Sequence, residues 1–191
     1  DMRKWILLAS LVVLGLLCLF SGTLFPETPV DEKSIPEFSS ADIAWMLVSS
    51  AMVLIMTPGL GFFYGGMVRK KNVISTILQS FIAMGVITVV WVVIGFGLAF
   101  GDSIGGIIGN PSKFLFFSNV GTKSAWSLAP TIPLILFAVF QMKFAIITPA
   151  LISGAFAERT RFWGYLLFII LFSLFIYSPL AHAVWHPDGI L

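Results

Sequence analysis

Hydrophobic positions along this chain fall into five runs, and the polar residues gather between them. A helix that crosses a bilayer needs about 20 apolar residues in succession. The runs at about 43–68, 73–100, 128–157 and 162–185 reach that length, and each reads as a span. The third of these starts somewhere between Ser124 and Thr131. An earlier run, Trp5 to Phe20, is shorter and follows Arg3-Lys4, the order of a basic region and apolar core in a signal peptide. It has no Ala-x-Ala cleavage site, and Phe20-Ser21-Gly22 is a weak substitute, so residues 1–22 read as a signal peptide or an N-terminal anchor. Met2 reads as the natural start. Residues 23–41, rich in proline and acid, form a separate segment that ends in Ser39-Ser40-Ala41-Asp42, a helix cap. Pro58 and Pro149 fall inside spans and should bend them, with the freed carbonyls paired locally. Gly105-Gly106 and Asn110-Pro111 mark turns in the loop between 101 and 123.

Composition narrows the class. The chain is 58% hydrophobic and 10% charged, with a mean hydropathy of +1.01. Soluble domains carry about 25% charged residues. Too few polar side chains remain to cover a globular surface, so lipid must be the solvent: an all-α, polytopic membrane helix bundle. A net charge of +2 gives no reason to expect nucleic acid. Cys18, the single cysteine, supports neither a disulfide framework nor a metal cluster. No phosphate-binding loop, nucleophile–base set or cofactor fingerprint stands in a suitable context, so neither an enzyme nor a cofactor is expected.

Charge sets the orientation. Arg3, Lys4, Arg69, Lys70, Lys71, Arg159 and Arg161 all fall on one side of the spans. Glu27, Asp31, Glu32, Glu37, Asp42, Asp102 and Asp188 fall on the other, with Lys33, Lys113 and Lys123. The positive-inside rule makes the first side cytoplasmic. Residues 23–41 and the loop from Gly101 to about Lys123 are then extracytoplasmic, in a multi-pass protein of the cell (inner) membrane.

Five blocks carry a resemblance. They are Pro58-Gly59-Leu60-Gly61-Phe62-Phe63-Tyr64-Gly65-Gly66-Met67-Val68-Arg69 with Lys71-Asn72-Val73; Trp91 through Leu98-Ala99-Phe100-Gly101; Phe140-Gln141-Met142-Lys143-Phe144-Ala145-Ile146-Ile147-Thr148-Pro149-Ala150-Leu151-Ile152; Gly154-Ala155-Phe156-Ala157-Glu158-Arg159; and Pro179-Leu180-Ala181-His182-Ala183-Val184-Trp185. In this order and spacing they resemble the ammonium transporter (Amt/Rh) family over about residues 42–185. The resemblance implies two helical halves related by an inverted pseudo-two-fold axis, a pore in each subunit of a homotrimer, and ammonium or ammonia as the transported species. Residues 42–191 would be the N-terminal half of that membrane domain. Inverted-repeat transporters place their pathway at the interface of the halves, so this half alone should not form a complete pore.

The resemblance also assigns roles. Phe144 matches one of two stacked phenylalanines that gate the outer mouth, where a ring face can attract a cation by about 0.5–2 kcal/mol. Read from spacing alone, Phe140 and Phe144 are an i, i+4 packing pair. Trp185 matches the tryptophan of the external cation-recruiting site, and tryptophan is also common at membrane interfaces. Glu158 and Arg159 could meet a regulatory protein of the PII type on the cytoplasmic face, or form a helix-end charge pair of little energetic weight. His182 and His186, at i and i+4, have a spacing that can hold a metal, but no third ligand is apparent, and His182 reads as structural.

Lys143 departs from the family pattern, which has a small or apolar residue there. A lysine inside a span costs roughly 2.5–3.5 kcal/mol on insertion scales and is a functional candidate on that ground. It either faces the pathway or snorkels away from the Phe144 face. A fixed cation beside a cation-recruiting mouth would oppose ammonium entry. The alternative function, an ammonium sensor with the same membrane fold and a C-terminal signalling domain, fits binding without throughput.

The orientation is directly testable. Cysteines placed at Ser75 and Ser103 should label from opposite sides of the membrane, Ser75 from the cytoplasm and Ser103 from outside. Labelling of both from the outside would overturn the assignment.

Overall fold

The computed structural model describes residues 37–191. The signal-peptide or anchor segment 1–22 and all but the end of the 23–41 segment lie outside the described residues. The described chain opens with helix α1, Ser40–Met67. Ser39 caps it, its hydroxyl accepting the Asp42 N–H at 3.3 Å, while its own N–H donates to the Thr131 carbonyl at 2.9 Å. That side-chain cap takes one of the donors a helix start leaves unpaired. Asp42 in the first turn complements the positive end of the helix dipole.

A single 3-10 turn at Lys70–Asn72 leads into α2, Val73–Val90. The second span continues through a π-turn at Trp91–Gly95 into α3, Phe96–Phe100. The third is α4, Leu134–Phe156. The fourth is α5, Phe162–Phe172, a π-turn at Ser173–Tyr177, and α6, Ser178–Trp185. Among the described residues, four helical stretches are thus long and apolar enough to cross a membrane: Ser40–Met67, Lys70–Phe100, Leu134–Phe156 and Phe162–Trp185. The third starts several residues later than its hydropathy suggests. Ala129–Pro133 is a strand instead, because Pro130 and Pro133 lack N–H donors and hold the backbone extended.

Both interior prolines stay within continuous helices. The π-turn at Ser173–Tyr177 comes just before Pro179, whose ring cannot donate into the ladder. Ser178 answers locally: its hydroxyl donates to the Ser173 carbonyl at 2.9 Å.

Helices α1, α2 and α4 pack on one another, and α2 also meets α5. The buried positions of α1 are Ser50, Thr57, Gly61 and Gly65. Each is small, and small residues are what allow close helix approach in lipid. On α2, Ser80 lies against Gly61, and Ile77 and Val73 lie against Gly65. Large side chains of α1, among them Trp45, Met52, Ile55 and Phe63, point outward and are mostly exposed. An apolar exterior around a small-residue seam is what lipid as solvent requires.

At the cytoplasmic end, Tyr64 lies across Gly154 so closely that a Cβ there would sit 2.6 Å from the ring. Its hydroxyl donates to the Leu151 carbonyl at 2.6 Å. Just beyond α4, Glu158 adopts a left-handed φ of 65°. Its carboxylate accepts the Asn72 side-chain amide at 2.8 Å and the Arg69 backbone N–H at 2.9 Å. Those two hydrogen bonds, the Asn72 one foremost, hold the Glu158 carboxyl below the usual carboxylate range. The clip is therefore complete above that range and is lost as pH falls through the lowered value.

At the outer end a cap is built from two small hairpins. Strands β1, Ser103–Ile104, and β2, Ile108–Gly109, pair antiparallel through Gly105 and Gly106, both with positive φ. Such a turn needs residues that tolerate that backbone. Strands β3, Ala125–Trp126, and β4, Ala129–Pro133, form the second pair. Between them, Phe114 and Phe117 close on Phe96 at ring distances of 5.1 and 5.7 Å.

Gly154→Ala should lower stability by about 1–3 kcal/mol through overpacking against Tyr64. Tyr64→Phe should cost about 0.5–1.5 kcal/mol by removing the bond to the Leu151 carbonyl. Unfolding titrations in mixed micelles measure both, and wild-type stability in both variants would show that this joint carries no weight.

Candidate functional site

Phe144 sits near the middle of α4. The helix starts at Leu134, and a rise of about 1.5 Å per residue puts Phe144 roughly 15 Å in from the outer end. Its ring is half-buried and meets Phe140 edge-on, with centroids 5.1 Å apart and planes at 74°. This is a preferred aromatic geometry. Thr148 donates its hydroxyl to the Phe144 carbonyl at 2.7 Å and steadies the backbone beneath the ring.

Trp185 closes α6 at the outer end and is 45% exposed. Its ring contact is with Tyr177, at 6.5 Å, and not with Phe144. Trp185 is instead linked, through Tyr177 and Trp91, to the helix that carries Phe144. Tyr177 meets Trp91 at 6.2 Å. Trp91 is wholly buried, and its indole N–H donates to the Ala138 carbonyl of α4 at 3.1 Å. A continuous aromatic wall therefore runs from Trp185 through Tyr177 and Trp91 to the helix that carries Phe140 and Phe144. The signal for Trp91 was its place in a motif block. Tyr177 had none beyond its position two residues before Pro179.

Lys143 is half-buried on the turn that carries Phe144 and has no hydrogen-bond or ion-pair partner among the described residues. Its neighbours one turn away, Val139 and Ile147, are apolar. His182 is wholly buried, and its ring joins two outer elements: Nδ1 donates to the Ala99 carbonyl and Nε2 meets the Ser103 hydroxyl, both at 2.9 Å. The Tyr177 hydroxyl is buried with no partner among the described residues.

Chemically, this arrangement can hold an apolar aromatic surface against a small cation. It offers ring faces at two depths, one half-buried within a span and one at the outer interface.

Comparison with known proteins gives this surface its context. The family model described as Ammonium Transporter Family matches residues 44–191. An "Ammonium transporter" of Mycobacterium tuberculosis is 50% identical over 161 residues, covering 78% of this chain and 34% of that protein. The Saccharomyces cerevisiae Mep2 crystal structure superimposes with a TM-score of 0.73 at 37% identity, over 81% of this chain and 34% of that one. A structure titled "Sensor Amt Protein" superimposes with a TM-score of 0.66 at 28% identity, over 75% of this chain and 33% of that one. The chain spans about a third of the length of the relatives it matches. Its four spans form a multi-pass membrane bundle, and the chain belongs to the ammonium transporter family.

Proposed function

We propose that this chain supplies the first half of an ammonium/ammonia pathway across the cell (inner) membrane, and that a second half completes the pore. The observation that carries this is the half-buried Phe140–Phe144 pair on α4, the helix to which Trp91, in ring contact through Tyr177 with Trp185, is tied at the Ala138 carbonyl. Trp185 recruits the cation at the outer interface. The Phe144 ring face then holds it and excludes bulk water at the gate. Desolvation there favours separation of the proton from ammonia, because a bare cation is costly in an apolar channel. Assembly as a homotrimer and docking of a PII-type protein near Glu158 and Arg159 belong to the same reading. The sensor alternative uses the same geometry, with Lys143 suppressing throughput.

Residues 42–191 then form one membrane domain whose Gly-, Ala- and Phe-lined face is covered by the second half. In ammonium-loaded vesicles, the full-length protein should give ammonium-dependent flux and the 191-residue chain alone should not. Flux from the chain alone at the full-length level would show that four spans suffice. Saturable ammonium binding without flux in the full-length protein would favour the sensor.

Lys143 provides a second test. At an effective dielectric near 20, like unit charges about 6 Å apart repel by roughly 3 kcal/mol, an upper guide because water in the mouth screens them. Lys143→Met in the full-length protein should therefore raise ammonium affinity or current while leaving assembly intact. Titration calorimetry and vesicle currents measure this. Unchanged values in both would place Lys143 away from the pathway.

A further inference from the structure

Just past Trp185, the outer end carries an arrangement that the transport reading does not use. His182 and His186 stack face to face, with ring centroids 4.3 Å apart and planes at 20°. The inner ring, His182, has both nitrogens engaged by Ala99 and Ser103. The outer ring, His186, borders a cavity of about 810 Å³ open to the outside, together with Asp102, Lys113, Lys123 and Asp188. Trp126 meets the edge of His186 at 5.5 Å.

The hydrogen bonding at His186 fixes its protonation. Its Nδ1 accepts the Asp188 backbone N–H at 3.1 Å, so that nitrogen carries no proton. This bond closes the turn over 186–191. The Gly189 N–H donates to the His186 carbonyl at 2.9 Å, the Ile190 N–H to Gly106 at 3.0 Å, and the Leu191 N–H to Ala183 at 2.9 Å. The turn is thereby tied to the end of α6 and to the β1–β2 hairpin.

A proton delivered to Nδ1 from the cavity would turn an acceptor into a donor and set it against the Asp188 N–H. Two donors cannot share that contact. The nearest alternative partner is the Asp188 carboxylate, whose Oδ2 lies 3.9 Å from Nδ1. A protonated Nδ1 that turns to that carboxylate gives up the Asp188 N–H contact. We infer that the His182–His186 stack is an acid-operated latch: with His186 neutral it holds the 186–191 turn on the outer cap, and protonation of Nδ1 releases that turn beside Trp185.

His186 is faced by His182 on α6, Asp188 in the turn, Asp102 after α3, and Lys113 and Lys123 in the outer loops. Burial, then the neighbouring His182, lowers the proton affinity of His186 below the ordinary histidine value, while Asp188 and Asp102 oppose that shift. The sign follows from linkage. A histidine whose charged form is disfavoured in the folded turn stabilises that turn above the ordinary imidazole pKa. The contribution is lost as pH falls through the lowered value.

Amide hydrogen exchange tests this directly. With the protein in lipid nanodiscs, exchange of the Asp188, Gly189, Ile190 and Leu191 amides is followed from about pH 8 to about pH 5, the interval in which imidazoles titrate. Rates are corrected for their intrinsic pH dependence. Protection should fall about tenfold in the wild type. His186→Gln keeps an acceptor but does not titrate, and its protection should be independent of pH. Asp188→Asn keeps the histidine and should retain the acid-dependent loss. Protection that does not change in the wild type, an equal loss in His186→Gln, or a loss abolished by Asp188→Asn would each overturn the latch.

Discussion

In the interior of a bilayer no water completes a backbone N–H or C=O, and this requirement orders the whole molecule. Each span stays helical throughout, even through Pro58 and Pro149, which each withhold one N–H from the ladder, and across two π-turns. Where a ladder is disturbed, a nearby side chain takes up the slack, as Ser178 does at the Ser173 carbonyl. Irregular backbone is left to the two ends, and there it is tied down by polar contacts between segments far apart in sequence. Glu158 gathers Arg69 and Asn72 on the cytoplasmic side. His182 joins Ala99 to Ser103 on the outer side.

Between those ends, association of the helices rests on fit, since lipid tails are as apolar as the side chains. The small buried positions of α1 let α2 approach closely, and the bare backbone at Gly154 accepts the Tyr64 ring. Several polar atoms in this region, the Thr57 hydroxyl, the Gln79 side-chain amide oxygen and the Ser80 hydroxyl, are buried without a partner among the described residues. A burden of that kind is costly in a dry interior. The aromatic wall is a second product of fit. Trp91 reaches it only because the indole N–H finds the Ala138 carbonyl on another span.

Much of the architecture was legible in advance because hydropathy acts over the length of a whole helix. Runs of apolar residues bounded by Arg69-Lys70-Lys71 and by Arg159 and Arg161 specify spans and their direction whatever the details of packing. The start of α4 was less legible. Apolar residues before Leu134 look like helix by hydropathy, and only the prolines at 130 and 133 turn them into strand. Phe144 and Trp185 are site candidates on motif blocks alone, and the structure puts them at different depths with no direct contact. Tyr177, which helps connect them, was not found. A tyrosine in an apolar run has no mark in sequence that separates a wall residue from filler.

The sequence by itself determined that this chain lives in lipid and how many times its described part crosses. Those properties sum over many residues, and no single contact can reverse them. Tertiary structure alone decided which rings meet, that Glu158 bridges two loops, and that His182 and His186 stack beneath Trp126. Those depend on helix rotation and register. A shift of one residue turns a side chain by about 100° around its helix, so angstrom-scale contacts are set by packing between segments that local sequence pattern does not relate.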